Sequence, residues 1–315
     1  MARPGVRAVL EEQHEGRPAG RAGGWDPVQR LKDMDIDGVE AEVLHCGVAG
    51  VPQNGSDQEA RLAFARATND AMTAWCDADP SRLIPVGTLP IWDVEEAVTE
   101  LKRVHQNGFK VVQVPIYPDS LGLKPYVDRS WEPLWSTAQE LPMPLHLHVG
   151  SNNGLERVQN YDPTPSTGIF MSLPPLYMAE ALGCFILGGV LERFPALHIV
   201  LVESGLTWIG YYLERLDTMM TRHRWVDLDP PMLKNNPSFY WRRQGHASFE
   251  EDRLAVQIRH AIGVDNILWA TDYPHPDSTW PESQKVVEEH FGAIPAAERE
   301  KIIFGNANKL YRLGK

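Results

Sequence analysis

The sequence predicts an α/β fold, a distorted (β/α)8 TIM barrel whose first strand is missing or degenerate. Three observations lead there. Short runs rich in Val, Ile and Leu alternate with amphipathic segments throughout the 315 residues, with no repeat, low-complexity tract or long linker. Several of these runs are apolar at every position, which suits parallel strands covered on both faces. The last run, Ile267-Leu268-Trp269-Ala270, stops at Asp272, with His275 following in a segment stiffened by Pro274, Pro276 and Pro281. A strand that hands a carboxylate and an imidazole to a proline-rich loop matches the way such barrels present chemistry at the C-terminal ends of their strands.

The elements follow in order. Strands are expected at Val39–His45, Leu83–Leu89, Phe109–Pro115, Pro144–Val149, His198–Glu203, Gly245–Phe249 and Asn266–Asp272. Helical periodicity covers 59–78, with apolar Ala65, Met72, Trp75 and Cys76, and 93–107, which opens on Asp93 and Glu96 and stops at Gly108. Further helices are expected near 131–140, 176–193, 206–223, 250–262, 282–291 and 296–304. Strand and helix alternating at this pitch imply parallel βαβ units. A doubly wound open sheet is the alternative, but no G-x-G-x-x-G follows any strand. A strand is needed before Trp25-Asp26-Pro27, and the short run Val6–Leu10 is the one candidate. Asp33, Asp35 and Asp37 read as a solvated helix end and turn ahead of a strand. The best-supported span of a single domain covering 1–315 is 23–313.

Composition narrows the function. Hydrophobic residues make up 43% of the chain, enough for a substantial core. The net charge of −12, without a Lys/Arg run, argues against nucleic acid and anionic membrane surfaces as partners. Cys46, Cys76 and Cys184 are far apart and have no zinc-like spacing, so reduced thiols in the cytoplasm are the simplest reading. The N-terminus lacks the apolar core of a signal peptide, and the most apolar helix contains Glu180 and is short for a bilayer. A small molecule is therefore the expected partner. Serine nucleophile elbows, P-loops and H-E-x-x-H are absent.

Several residues are candidates for chemistry. In PMPLHLHVG, His146 and His148 lie two apart on a strand, so both imidazoles share one face while Leu145 and Leu147 take the other. His148 is nearer the C-terminal mouth, where neutral imidazole is a common ligand for Zn, Mn or Fe; the plainer alternative is a hydrogen-bonded core histidine. Asp272 ends its strand in the same position, able to bind a metal and take a proton from bound water, or to cap the next segment. His275 orients substrate or a ligand, or bonds a neighbouring strand end. Glu203 ends HIVLVE and is open to three roles: ligand, general acid/base, or acceptor of loop N–H groups. His45 ends its own strand and, like His246, is more safely read as structural. Lys110 begins its strand, so it is badly placed to bridge two metals.

Together the blocks GGWDP–RL–DMDIDGVEAEVL, PLHLHVG, GVLERFPALHIVLVESG–WI–YLERLD, ATDYPHPDSTWP and FGNANKLYRL resemble the amidohydrolase-related proteins typified by aminocarboxymuconate-semialdehyde decarboxylase. The resemblance runs from about Gly23 to Leu313. It implies a distorted (β/α)8 barrel around one divalent metal, zinc most often and manganese in some members. The family's ligands are a His-x-His or Glu-x-His pair on strand one, a His ending strand five, matched by His148, and an Asp ending strand eight, matched by Asp272. Taken with the reading of the residues above, Glu203 and Asp272 are the expected catalytic groups and His275, His45, His146 and Trp280 a pocket or supporting shell, while a homodimer follows from family analogy. Members include decarboxylases of aromatic or unsaturated acids, hydrolases and hydratases. Two departures stand out. No His-x-His or Glu-x-His occurs on an apolar, strand-like run near the N-terminus, because the one Glu-x-His there, Glu12-Gln13-His14, lies in a polar, loop-like run; a late start at Met1 or a true loss of strand one accounts for this. Strand six ends in Glu203, where the decarboxylases carry a proton-donating His. The leading expectation is a metal-dependent lyase or hydrolase of a small carboxylated or aromatic substrate. The alternative is a barrel with too few ligands for metal, acting as a binding or scaffold protein.

Overall fold

A computed structural model describes residues 20–46, 57–150, 168, 172–223 and 233–314. The Val6–Leu10 run and Glu12-Gln13-His14 lie outside the described residues. Seven strands form one parallel sheet in sequence order: β1 (Glu42–Leu44), β2 (Leu83–Thr88), β3 (Val111–Val114), β4 (Leu145–His148), β5 (Ile199–Val202), β6 (Gly245–Phe249) and β7 (Ile267–Trp269). Each expected strand is present; Gly245–Phe249 keeps its bounds and the others are trimmed at one or both ends, because the apolar pattern outruns the hydrogen-bonded ladder. The register sets Val43 opposite Ile84, Gln113 opposite His146, His148 opposite Val202 and Phe249 opposite Trp269. Among the described residues no ladder returns from β7 to β1. The fold is thus a curled parallel barrel with one strand's place open, the distorted barrel that the sequence predicts.

The helices that position the site are α1 (Pro27–Asp37), α2 (Gln58–Cys76), α3 (Val94–Gln106), α4 (Glu132–Glu140), α5 (Pro174–Leu187), α6 (Thr207–Arg222), α7 (Pro237–Gln244), α8 (Ser283–Phe291) and α9 (Asn306–Tyr311). No described helix is long and apolar enough to cross a membrane. The largest core lies between sheet and helices, where Leu145 and Leu147 of β4 pack with Trp135, Leu182 and Phe185. Each fully buried side chain of this kind contributes about 1.5–3 kcal/mol. A smaller cluster of Val86, Val111, Val200, Val202, Leu268 and Tyr311 fills the barrel interior. Alternation along β4 then turns His146 and His148 toward the barrel cavity, as their spacing implies.

Local chemistry explains the helix starts. Asp26 accepts hydrogen bonds from Val28 N and Gln29 N, Pro27 occupies the first turn of α1, and Gly38 ends that helix at φ +70°. Asp93 caps α3 through Glu95 N and Glu96 N, where the sequence places that start. Asp252 serves two helices, accepting from Leu206 N and Thr207 N at the head of α6 and from Ala255 N in its own segment.

One expectation is corrected. Asp35 is exposed and pairs with Arg82 at 2.8 Å, but Asp33 and Asp37 are buried rather than solvated. Asp33 accepts from Arg21 at 2.6 Å and from the Tyr273 hydroxyl. Asp37 accepts from Ser283 N at 2.9 Å and Ser283 Oγ at 2.5 Å. The curl of the sheet brings α1 against the segment after β7. The polar face of that helix therefore meets the returning chain instead of water.

Candidate metal centre

The site gathers where β4, β5 and β7 end. His148 is the last residue of β4, Glu203 directly follows β5, and Asp272 follows β7 by three residues. Glu203 and Asp272 both adopt φ +54°, a left-handed backbone conformation that costs a non-glycine residue about 1–3 kcal/mol. Each bend is tied down. Glu203 N donates to Ser248 Oγ at 3.0 Å, and the chain after Asp272 turns through His275 N donating to Asp272 O at 2.8 Å.

The side chains converge. His148 Nε2 lies 2.9 Å from Glu203 Oε1, Glu203 and Asp272 share a hydrogen bond, and His275 Nδ1 lies 2.8 Å from Asp272 Oδ1. Glu203, Asp272 and His275 each offer a ligand atom, all within 4.8 Å of one another. His148 Nδ1 is 2.6 Å from Val149 O. A carbonyl can only accept, so Nδ1 carries the proton and Nε2 is the nitrogen left to meet the carboxylates. A backbone carbonyl that fixes the imidazole in this way is a common support for a metal-binding histidine. This donor set fits a divalent cation.

The electrostatics of the cluster agree. Burial is the largest influence on His148 and works against its charged form, but the bond to Glu203 and its charge, the Val149 carbonyl and the charge of Asp272 together outweigh it, and the net shift is upward. Burial is also the largest influence on the Glu203 carboxylate, but the bond to His148 and its charge, the bond to Asp272 and the charge of His275 together prevail, and the net shift is downward. Burial raises Asp272; its bond to His275 opposes this, and the charge of Glu203 adds to the rise. His275 is pushed up to about 9 by its bond to Asp272. Two carboxylates sharing a hydrogen bond need one proton between them, and the upward shift of Asp272 against the downward shift of Glu203 makes Asp272 the more readily protonated of the two.

A cavity of about 940 Å³ opens over the cluster, walled on its other sides by Trp25, Met72, Trp75, Trp269 and Tyr273. Arg30, in the same wall, is committed to structure: it pairs with Glu42 at 2.5 Å and donates to Tyr273 O at 3.0 Å. His45, with Nε2 3.0 Å from His146 Nδ1, has the partner that the sequence leaves unidentified, and its ring stands edge-on to His148 at 4.6 Å. His146 continues to the Tyr311 hydroxyl at 2.7 Å. Burial, then the neighbouring histidine charges, depress His45 well below the usual imidazole value. Trp280 stands apart from the cavity wall. Its Nε1 donates to Asp33 O at 3.0 Å and its ring packs beneath the Arg21 guanidinium. His246 pairs with His198 at 3.1 Å, away from the carboxylates.

One acidic residue escaped the sequence reading. Glu250, the first residue after β6, lines the same cavity. The rule that singles out Asp272 and Glu203, a carboxylate at a strand's C-terminal end, applies to it equally. Its place at the head of an expected helix concealed it. The link from His146 to Tyr311 spans 165 positions and left no local signal.

Comparison with known proteins agrees with this architecture. A model of the amidohydrolase family matches residues 12–313. Gamma-resorcylate decarboxylase of a Polaromonas species is 28% identical over 314 residues, covering 91% of this chain and 87% of its own. The 2-amino-3-carboxymuconate-6-semialdehyde decarboxylase of Dictyostelium discoideum is 23% identical, covering 90% and 76%. A crystal structure of a Polaromonas dihydroxybenzoic acid decarboxylase with bound manganese and the inhibitor 2-nitroresorcinol superposes with a TM-score of 0.71 at 25% identity, covering 91% and 86%. With a family match that spans nearly the whole chain, and a parallel barrel to go with it, the protein belongs to the amidohydrolase family.

Proposed function

We propose that this chain is a metal-dependent decarboxylase of a small aromatic carboxylate. The observation that carries the reading is the mouth cluster: His148 Nε2 turned to Glu203 by the Val149 carbonyl, with Asp272 and His275 closing the other side. His148 and Asp272 hold the cation in this reading, with Glu203 and His275 beside them. The relatives named above are decarboxylases, and one was crystallised with manganese. That resemblance favours loss of CO2 over hydrolysis. A group of imidazole and carboxylate donors, in place of two isolated residues, weighs against a non-catalytic scaffold.

When bound, a divalent cation supplies a fixed positive charge that anchors the substrate's carboxylate and stabilises charge during bond cleavage. The remaining work belongs to the chain. Trp25, Trp75 and Trp269 offer flat apolar walls to an aromatic ring. Loss of CO2 leaves an electron pair on the ring carbon, which must take a proton. The Asp272–Glu203 pair keeps one proton in its shared hydrogen bond and can give it up at an Asp272 oxygen. His275 holds the opposite side of Asp272 and keeps that carboxyl aimed. The Glu203–His148 bond takes up the change in charge.

The test is incubation of the manganese-loaded protein with 2,6-dihydroxybenzoate and related hydroxybenzoates, following CO2 release and loss of substrate absorbance. Decarboxylation that is abolished by chelation and restored by Mn²⁺ supports the reading. Ester or lactone cleavage without CO2, or turnover that survives chelation, contradicts it.

A further inference from the structure

Glu250 is the one carboxylate in the cavity wall near Glu203 and Asp272 that the proposed cation site leaves without a role. Its backbone is fixed: Phe249 O accepts from Ala270 N at 3.0 Å, and Glu250 O accepts from the Trp269 indole at 3.2 Å. The side chain is therefore held where β6 ends beside β7. Its Oε1 is sealed from solvent and has no hydrogen-bond partner among the described residues. Every other wall carboxylate that faces this pole is bonded: Glu203 to His148, and Asp272 to His275.

An orphaned carboxylate oxygen is costly wherever it is buried. Here the cost is compounded, because the charges acting on Glu250 are those of Asp272, Glu203 and Asp277, all of the same sign. Burial first, and then these neighbours, push its carboxyl up to about 8. Among the described residues the arrangement lacks a positive charge to spare, since His275 is bonded to Asp272 and His148 to Glu203. Arg30 cannot provide it, being paired with Glu42. Glu250, like His148, falls outside the group whose ligand atoms lie within 4.8 Å of one another; His148 reaches that group through Glu203 at 2.9 Å, whereas Glu250 Oε1 has no partner among the described residues, so Glu250 stands beside the proposed ligands.

We infer that Glu250 sets how tightly the site holds a divalent cation, acting as an outer acidic group through its charge. The inference rests on the cation site proposed above. Outer carboxylates of this kind raise affinity by favouring the charge that the ligands bind and by limiting how the ligands can reorient. Glu250 is thus a positioning residue for the cation and need not touch substrate.

Calorimetric titration of the chelator-stripped full chain with MnCl2 tests this, comparing wild type with Glu250→Gln and Glu250→Asp. The Gln variant keeps the shape and removes the charge. The expected result is an affinity about 10–100-fold weaker in Glu250→Gln, at unchanged stoichiometry. Glu250→Asp, with the charge on a shorter arm, falls between the two. The thermal midpoint of cation-free Glu250→Gln should equal that of wild type at neutral pH, where the raised carboxyl is protonated, and exceed it at about pH 9, where that carboxyl is charged; a purely structural role predicts a drop. Unchanged affinity in Glu250→Gln with normal wild-type uptake overturns the role of Glu250 alone, as does a cation-free Glu250→Gln that is destabilised or fails to fold. A wild type that takes up no Mn²⁺ removes the cation site itself, and this inference with it.

Discussion

Glu203 and Asp272 illustrate how much local conformation the mouth of the barrel demands. Both non-glycine residues are held at positive φ, and both turn a carboxylate toward the cavity. With His148 they make the acidic half of the cluster legible as a cation site. Truncating either proposed ligand should remove a donor that no neighbour replaces: His148→Ala and Asp272→Ala are each expected to lower decarboxylation by about a hundredfold or more. Assay of both variants at saturating Mn²⁺ checks this. A different residue-scale prediction concerns His246, depressed to about 3 by burial and then by its neighbour His198. Its folded value lies below the unfolded value of about 6.5, so the unfolded chain binds more protons between the two. Stability from this residue is present at neutral pH and is lost as pH falls below about 6.5. Between pH 7 and pH 5 the loss amounts to about 2 kcal/mol. Denaturant melts of His246→Gln should lack that much of the acid sensitivity shown by wild type.

At the level of elements, two polar joints hold the site-bearing loops. One joins α1 to the segment after β7 through Asp33–Tyr273 and Asp37–Ser283. The other is Asp252, which satisfies amides at the heads of two helices. Asp252→Ala should therefore cost about 2 kcal/mol, near twice a single cap, measured by urea unfolding; a loss typical of one cap would assign the joint to a single helix. The elements themselves were readable because most of the strands are rich in Val, Ile or Leu and alternate with amphipathic segments. Leu145 and Leu147, set against His146 and His148, reveal both faces of β4. Asp93 and Gly108 bracket α3. Asp33 and Asp37 were misread because nothing within α1 states that the chain returns to it some 240 residues later. Their spacing looks like solvated polarity until the curl of the sheet is known.

The described residues form a parallel barrel with a seam. β1 and β7 each present one edge without a ladder partner among the described residues, while β3, β4 and β5 are paired on both sides. Backbone amides on a free edge lose protection through local opening. Hydrogen exchange followed by mass spectrometry should show residues 42–44 and 267–269 exchanging faster than 145–148 and 199–202. Equal protection would mean that the seam is covered. The sequence announced this gap by its shortage of strands. It announced the cluster only in part: His148, Glu203, Asp272 and His275 each end or follow an apolar run. Glu250 does so as well, yet its helical context hid it. The His45–His146–Tyr311 line exists only once the end of β1, β4 and helix α9 converge from three parts of the chain.

The central claim is that His148 and Asp272 grip one cation at the mouth of this barrel. Elemental analysis of chelator-stripped protein reloaded with Mn²⁺ and freed of excess tests it most directly. Near-stoichiometric manganese in wild type, lost in both His148→Ala and Asp272→Ala while each variant keeps its native circular dichroism, is the predicted result. Wild-type occupancy in both variants would contradict it.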